Sequence, residues 1–142
     1  MRIEQARESD LETIKSYIAA FELDNRDLRY QQFLVAKENN ALLGFARIRK
    51  HKGCDEFCSL GVLEEKRFHG IARELTLAHI KQATQPLYLV CIIPEYFEKL
   101  GFKTVTEYPA EMEDKLQYCI SELVVPEEYV VMKYQKNEDG NF

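Results

Sequence analysis

Residues 86–93, Pro86-Leu87-Tyr88-Leu89-Val90-Cys91-Ile92-Ile93, form an uninterrupted apolar run of strand length. A strand that does not alternate is buried on both faces, which is the habit of parallel strands covered by helices. A parallel neighbour needs a crossover connection. The preceding residues supply one. Residues 55–63, DEFCSLGVL, read as a strand, and Ile71, Leu75, Leu77, Ala78 and Ile80 are the apolar positions of a helix that begins after Gly70.

The rest of the chain adds an antiparallel half. Residues 1–7, MRIEQAR, alternate as a short strand, and residues 10–21 carry Leu11, Ile14, Tyr17, Ile18 and Phe21 at helical spacing. Ser9 and Glu12 fit a capping box at its start. Residues 24–32 are polar and read as a loop or a short second helix. Phe33-Leu34-Val35 and the apolar-rich stretch Ala41 to Ile48 flank Asn39-Asn40, a pair suited to the positive φ of a tight hairpin turn. Downstream, PEYFEKLG is a short helix opened by Pro94 and ended by Gly101, FKTVTEY a strand, AEMEDKLQYC a helix and EYVVMKYQ a closing strand. The tail, 136–142, is expected to fray. Strands separated by helices, with three consecutive strands over 33–63, predict an α/β (α+β) chain: a mixed, mostly antiparallel sheet with helices on both faces.

At 142 residues the chain is expected to be a single domain, 1–142, with 46% hydrophobic and 30% charged residues, an ordinary balance for a globular protein. A net charge of −5 argues against a general nucleic-acid binder and leaves a local basic pocket open. No run approaches the roughly 20 apolar residues of a membrane span. Met1-Arg2-Ile3-Glu4-Gln5 lacks an apolar signal core, so a cytoplasmic location without membrane partners is expected. Cys54, Cys58, Cys91 and Cys119 lack metal-site spacing, so no metal is expected and buried, reduced thiols are.

The helix that follows Gly70 has no Ser, Thr, Asp or Asn cap. Its start is Arg67-Phe68-His69-Gly70-Ile71-Ala72. A strand that runs into a helix through a short loop leaves backbone N–H groups pointing outward at the positive end of the helix dipole, an arrangement that holds phosphate. Gly70 and Ala72 let an anion approach the backbone. On pattern alone, an ordinary junction containing one glycine is the alternative. The loop resembles the pyrophosphate loop of the GNAT superfamily of acyl-CoA-dependent N-acetyltransferases, Arg/Gln-x-x-Gly-x-Gly/Ala. Phe97-Glu98-Lys99-Leu100-Gly101-Phe102 resembles that family's later signature, and both stand in the family's order over residues 55–102. The resemblance implies a central pair of parallel strands that splay apart. It implies acetyl-CoA as cosubstrate, its pantetheine arm on the backbone of Leu60, Gly61 and Val62. Pyrophosphate would rest on Arg67, Phe68, His69, Gly70, Ile71 and Ala72, and the helix carrying Phe97 would flank the thioester.

Such chemistry needs a base for an acceptor that arrives as ammonium, and a donor for the developing oxyanion. The resemblance implies Glu56 as base, six residues before Val62. Desolvation in an apolar strand is expected to raise its pKa. The alternative for Glu56 is an exposed strand start, paired with a Lys or Arg. Where many members carry the Tyr credited with protonating the thiolate, this chain has Phe97. Tyr96 is the replacement candidate, although one helical residue turns a side chain by about 100°. Cys91 has no neighbouring His in sequence and reads as a buried cysteine. His69 is placed to touch phosphate, His79 is structural or exposed, and His51 is the third side chain whose charge changes near neutrality.

Phe97, Tyr108-Pro109, Lys115, Cys119 and residues 129–134 resemble the N-acetylglutamate synthase-like branch, which acetylates the α-amine of small amino acids. A cation must then clamp the carboxylate, and Arg26, Arg29, Arg47 and Lys115 are available. The expected partner is a small-molecule amine, and a homodimer is compatible with the sequence. The alternatives are a peptide or protein amine as acceptor, and an acyl-CoA-binding sensor or degenerate module without turnover.

Overall fold

The computed structural model describes residues 1–135. The tail expected to fray, 136–142, lies outside the described residues. The chain divides into two compact units: Met1–Ile48 with Cys58–His79, and Arg49–Phe57 with the residues from Ile80 onward.

The first unit holds β1 (Arg2–Gln5), α1 (Leu11–Ala20), β2 (Phe33–Glu38), most of β3 (Ala41–Lys50), the end of β4 (Asp55–Val62) and most of α2 (Ile71–Gln82). Its strand order is β1-β2-β3-β4. β1 and β2 are antiparallel, with Ile3 opposite Ala36, and β2 and β3 are antiparallel, with Val35 opposite Phe45. Asn39 and Asn40 have φ of 51° and 68°, the left-handed pair that a two-residue hairpin turn demands. Phe33, Val35 and Phe45 meet Ala6, Ile14 and Ile18 in a dry core, with Tyr17, Phe21 and Leu23 packed around it. The helix predicted over 10–21 forms, but Ser9 does not cap it. A 3-10 turn, Glu8–Asp10, leads into α1, and the Asp10 carboxylate accepts the Arg7 N–H at 2.8 Å while Lys37 Nζ holds it at 2.9 Å. Asp10, pinned to the sheet by Lys37, therefore closes the turn before α1, and its side chain makes no cap bond to the helix itself. The polar stretch before β2 is loop closed by a 3-10 turn, Tyr30–Gln32.

The second unit contains the start of β4, β5 (Leu87–Cys91), α3 (Pro94–Glu98), β6 (Phe102–Thr104), α4 (Ala110–Glu122) and β7 (Val130–Tyr134). Its strand order is β4-β5-β7-β6. The apolar run is indeed the parallel strand, with Asp55 opposite Leu87 and Glu56 opposite Tyr88, and that register covers only these two pairs. β7 pairs antiparallel with both β5 and β6. Cys54, Tyr88, Met112 and Val131 form a core with Val90, Val105, Tyr108 and Leu116 around it. β6 is shorter than its sequence suggests, although Val105 N–H still reaches the Val131 carbonyl at 2.9 Å. The expected class, mixed and mostly antiparallel with one parallel pair, is the class observed. Among the described residues no helix is long and apolar enough to cross a membrane.

Candidate active site

In the first unit, β4 ends at Val62 and a 3-10 turn, Glu64–Lys66, leads to the expected loop. Gly70 has a φ of +84°, and a Cβ built on it would meet nothing within 4 Å. The first helical bond of α2 is Glu74 N–H to the Gly70 carbonyl, 3.0 Å. Among the described residues, the N–H groups from Phe68 to Arg73 therefore have no acceptor. Six consecutive donors stand beside an open glycine at the positive end of a 12-residue helix, chemistry suited to an anion. Phe68 has a φ of +69° and is fully exposed, so a bulky side chain occupies a left-handed position at the loop tip. His69 is exposed beside it. The Arg67 side chain turns back: Nε donates to the Val62 carbonyl at 3.0 Å and the guanidinium lies 5.2 Å from the Phe21 ring centre. Of β4's three expected backbone partners, Val62 thus already spends one carbonyl lone pair on Arg67.

β4 itself is bent where these groups lie. Ser59 has a φ of 53°, and its hydroxyl donates to the Asp24 carbonyl at 2.9 Å while accepting from Arg47 Nε at 2.8 Å. Gly61 is held bare because a Cβ there would lie 2.5 Å from the Phe45 ring. Ile71 is buried and Ala72 half-buried at the start of α2.

In the second unit, Glu56 is 0% exposed, so the alternative of an exposed strand start is excluded. Three cationic or polar partners surround it. His51 Nε2 is 2.8 Å from Oε1, Arg49 Nη1 is 3.6 Å from the same oxygen, and Lys115 Nζ is 3.0 Å from Oε2. Lys115 and Glu56 are thus a buried ion pair. The expected rise in the Glu56 pKa is corrected. Burial does push it up, but the His51 hydrogen bond, the Lys115 charge and Arg49 outweigh burial and bring it down to about 2. The sequence shows the apolar strand but not the cations that fold onto it from α4 and β3. Next to it, Asp55 is equally buried and accepts from Thr84 N–H at 3.0 Å and Gln85 Nε2 at 2.9 Å, with Lys50 Nζ at 3.4 Å.

Tyr96 and Phe97 point differently, as their 100° separation requires. Phe97 is buried, its ring 6.3 Å from Phe57 and 5.8 Å from Phe102, and Tyr96 meets it edge-on at 5.1 Å. Cys91 is buried against Met132, Sγ to Sδ 3.6 Å, and burial pushes its thiol up to about 11, which leaves it no nucleophile. His79 is the structural alternative realised: buried, bonded through Nε2 to the Ala46 carbonyl at 2.8 Å, and lowered by burial to about 4.

The cationic candidates separate clearly. Arg47 is fully buried and donates to the carbonyls of Asp24 and Arg26 and to Gln32 Oε1, a structural assignment. Arg26 pairs with Asp24 at 3.0 Å and Arg29 with Asp27 at 3.2 Å, while Lys115 is committed to Glu56. The residues sequence reasoning missed are His51 as a partner of Glu56, Arg49 and Asp55. Their signal was a charged, turn-rich stretch, Arg49 to Glu56, compressed into eight positions. A cavity of about 440 Å³ opens among Ile80, Thr84, Pro86, Leu87 and Lys133, and none of the expected site residues lines it.

A profile described as the acetyltransferase (GNAT) domain matches residues 29–104. A comparison with curated proteins found no match. Among solved structures, a Mycobacterium tuberculosis protein in complex with CoA and NLQ is similar to this chain with a TM-score of 0.76 and 17% identity, over 94% of this chain and 98% of that one. N-acetylglutamate synthase from Neisseria gonorrhoeae, in complex with coenzyme A and N-acetyl-glutamate, follows at 0.75 and 18%, over 95% of this chain and 35% of that one. An Arabidopsis thaliana protein in complex with the bisubstrate analogue CoA-Ac-MVNAL aligns at 0.67 and 18%, over 94% and 97%. These likenesses are of fold. The profile spans more than half of the sequence and includes both β4 and the loop before α2, so the chain belongs to the acetyltransferase (GNAT) domain family.

Proposed function

We propose that the chain transfers an acetyl group from acetyl-CoA directly to a primary amine, with the α-amine of a small amino acid as acceptor. The observation that carries this reading is the row of partnerless N–H groups from Phe68 to Arg73, opened by Gly70 at a φ of +84°. These residues fit a diphosphate in their chemistry: consecutive free donors, a helix dipole and a bare backbone at the same helix start. His69, Ile71 and Ala72 belong to the same cradle, Arg67 stands at its edge with its N–H and side chain already engaged, and Leu60, Gly61 and Val62 present backbone for the pantetheine arm. The thioester supplies an activated acyl carbon when bound. Glu56 stands on the same strand as the pantetheine residues and contributes a fixed negative charge rather than a high-pKa base. Tyr96 is the side-chain hydroxyl that α3 offers as acid, Phe97 lacking one.

The amino-acid acceptor draws support from the N-acetyl-glutamate in the Neisseria structure, and a peptide amine from the peptide analogue in the Arabidopsis one. The test is thiol release from acetyl-CoA against a panel of amino acids, polyamines and peptides, with calorimetry of CoA binding. Transfer to a free amino acid supports the reading. Transfer only to peptides replaces the acceptor, and tight CoA binding without release on any acceptor replaces catalysis with sensing.

A further inference from the structure

Glu56 has two properties that pull apart. It occupies the strand position where a base is expected, yet it is 0% exposed and both of its oxygens face cations or a ring nitrogen. A carboxylate so enclosed cannot itself take a proton from an incoming ammonium. Its 2.8 Å partner can. His51 has a side chain that is 17% exposed, so the ring reaches solvent where Glu56 does not. Its backbone is held at three points: N–H to the Cys54 carbonyl at 2.9 Å, and its own carbonyl from Gly53 N–H at 3.0 Å and Gln85 Nε2 at 2.9 Å. The turn that carries it is therefore closed by β4 and anchored by the Gln85 that also binds Asp55.

We infer that His51 is the proton acceptor of the acetyl transfer and that Glu56, with Lys115 and Arg49 behind it, is the positioning residue that orients it. This rests on the acetyltransferase reading above. An ionised carboxylate only accepts, so the proton shared at 2.8 Å sits on His51 Nε2, which leaves Nδ1 with its lone pair available. Nδ1 has no partner among the described residues. In the step, an N–H bond of the acceptor ammonium breaks and an Nδ1–H bond forms. The resulting imidazolium keeps its Nε2–H on Glu56, whose charge compensates it, and the proton leaves to solvent through the exposed edge of the ring.

The charged groups behind the ring come from two elements. On the same hairpin Glu56 Oε1 meets both the ring, at 2.8 Å, and Arg49 Nη1, at 3.6 Å, with Lys50 and Asp55 paired to each other. From α4, Lys115 Nζ reaches the other Glu56 oxygen at 3.0 Å, and Glu111 acts on the neighbouring Cys54 thiol.

The test compares wild type with His51→Gln, whose amide N–H still reaches Glu56 but cannot accept a proton, using acetyl-CoA and the best amine of the panel. The expected loss in kcat is at least about 100-fold, the usual share of general base catalysis. The dissociation constant for acetyl-CoA stays unchanged by calorimetry, and the acid limb of the kcat/KM profile disappears. An acceptor amine already neutral at the assay pH closes most of the gap between the two enzymes. His51→Gln that keeps kcat within about threefold of wild type, below any general-base share, overturns the inference. So does a large loss that the neutral amine fails to relieve. Nitrogen NMR on wild type adds a readout that needs no variant: Nε2 protonated and Nδ1 bare supports the assignment, and the opposite tautomer overturns it. Wild type that binds CoA but acetylates no amine overturns both this inference and the transferase reading, whereas transfer that survives His51→Gln overturns this inference alone.

Discussion

Lys115 on α4 and Glu56 on β4 meet at 3.0 Å, and both side chains are buried. A buried pair of this kind contributes little net stability relative to an apolar pair, but removing one partner is costly. Lys115→Met is expected to lower unfolding stability by about 3 kcal/mol, the range for breaking a buried pair, and to raise the Glu56 pKa. Urea unfolding measures the first effect and carbon NMR of the carboxyl measures the second. An unchanged midpoint would show that His51 and Arg49 suffice to hold Glu56.

Acid should unfold the protein through the same cluster. The Glu56 pKa is lowered from 4.5 to about 2 on folding, so the stability it confers is complete above about pH 4.5 and is lost as pH falls through about 2. The difference corresponds to roughly 3 kcal/mol as an order of magnitude. Glu56→Gln is expected to flatten the stability profile between pH 4.5 and 2. A variant whose acid limb of stability matches wild type would assign acid sensitivity elsewhere.

At the anion cradle, Gly70→Glu places a like charge and a side chain in the open space before α2, at a φ of +84° that only glycine adopts without strain. Acetyl-CoA binding should vanish by calorimetry. Gly70→Ala carries the strain without the charge, so it should bind measurably and melt earlier. Equal affinity for Gly70→Glu and wild type would remove the cradle from cofactor binding.

Arg47 is a core residue in the form of a cation. Arg47→Met strips the carbonyls of Asp24 and Arg26 of a donor and removes a cation 3.7 Å from the Asp24 carboxylate, which stays paired with Arg26 at 3.0 Å. The expected cost is about 3 kcal/mol, measured by thermal unfolding. A near-neutral result would mean that the 24–32 loop is held by its local bonds alone.

Gly61→Ala tests the packing behind β4. The new methyl would stand 2.5 Å from the Phe45 ring, inside van der Waals contact. Overpacking of this size costs about 1–3 kcal/mol. The double variant with Phe45→Leu should recover most of it.

The elements most legible in the sequence were those specified by a local rule. Asn39-Asn40 sets a hairpin through its own φ preference, the run from Leu87 to Cys91 declares double-sided burial, and Gly70 marks a helix start without a cap. The Glu56 environment was illegible for the opposite reason. Lys115 lies on a helix whose phase toward β4 depends on how Met112 and Cys119 pack, and an apolar strand around a carboxylate suggests desolvation without revealing the cations that offset it. Ser9 does not cap α1 because the turn before the helix is closed one residue later, by an Asp10 carboxylate held on Arg7 N–H and Lys37. His51 could be named from sequence but not aimed, since its partner is chosen by the closure of the turn between β3 and β4.

Phe68 makes the loop unusually easy to watch. It is a fully exposed aromatic side chain in a chain that contains no tryptophan. Phe68→Trp would install a single indole emitter at the rim of the anion cradle, excited selectively over the chain's eight tyrosines at the red edge of indole absorption. Ligand arrival could then be timed by stopped-flow fluorescence, independently of whether any acceptor is ever turned over.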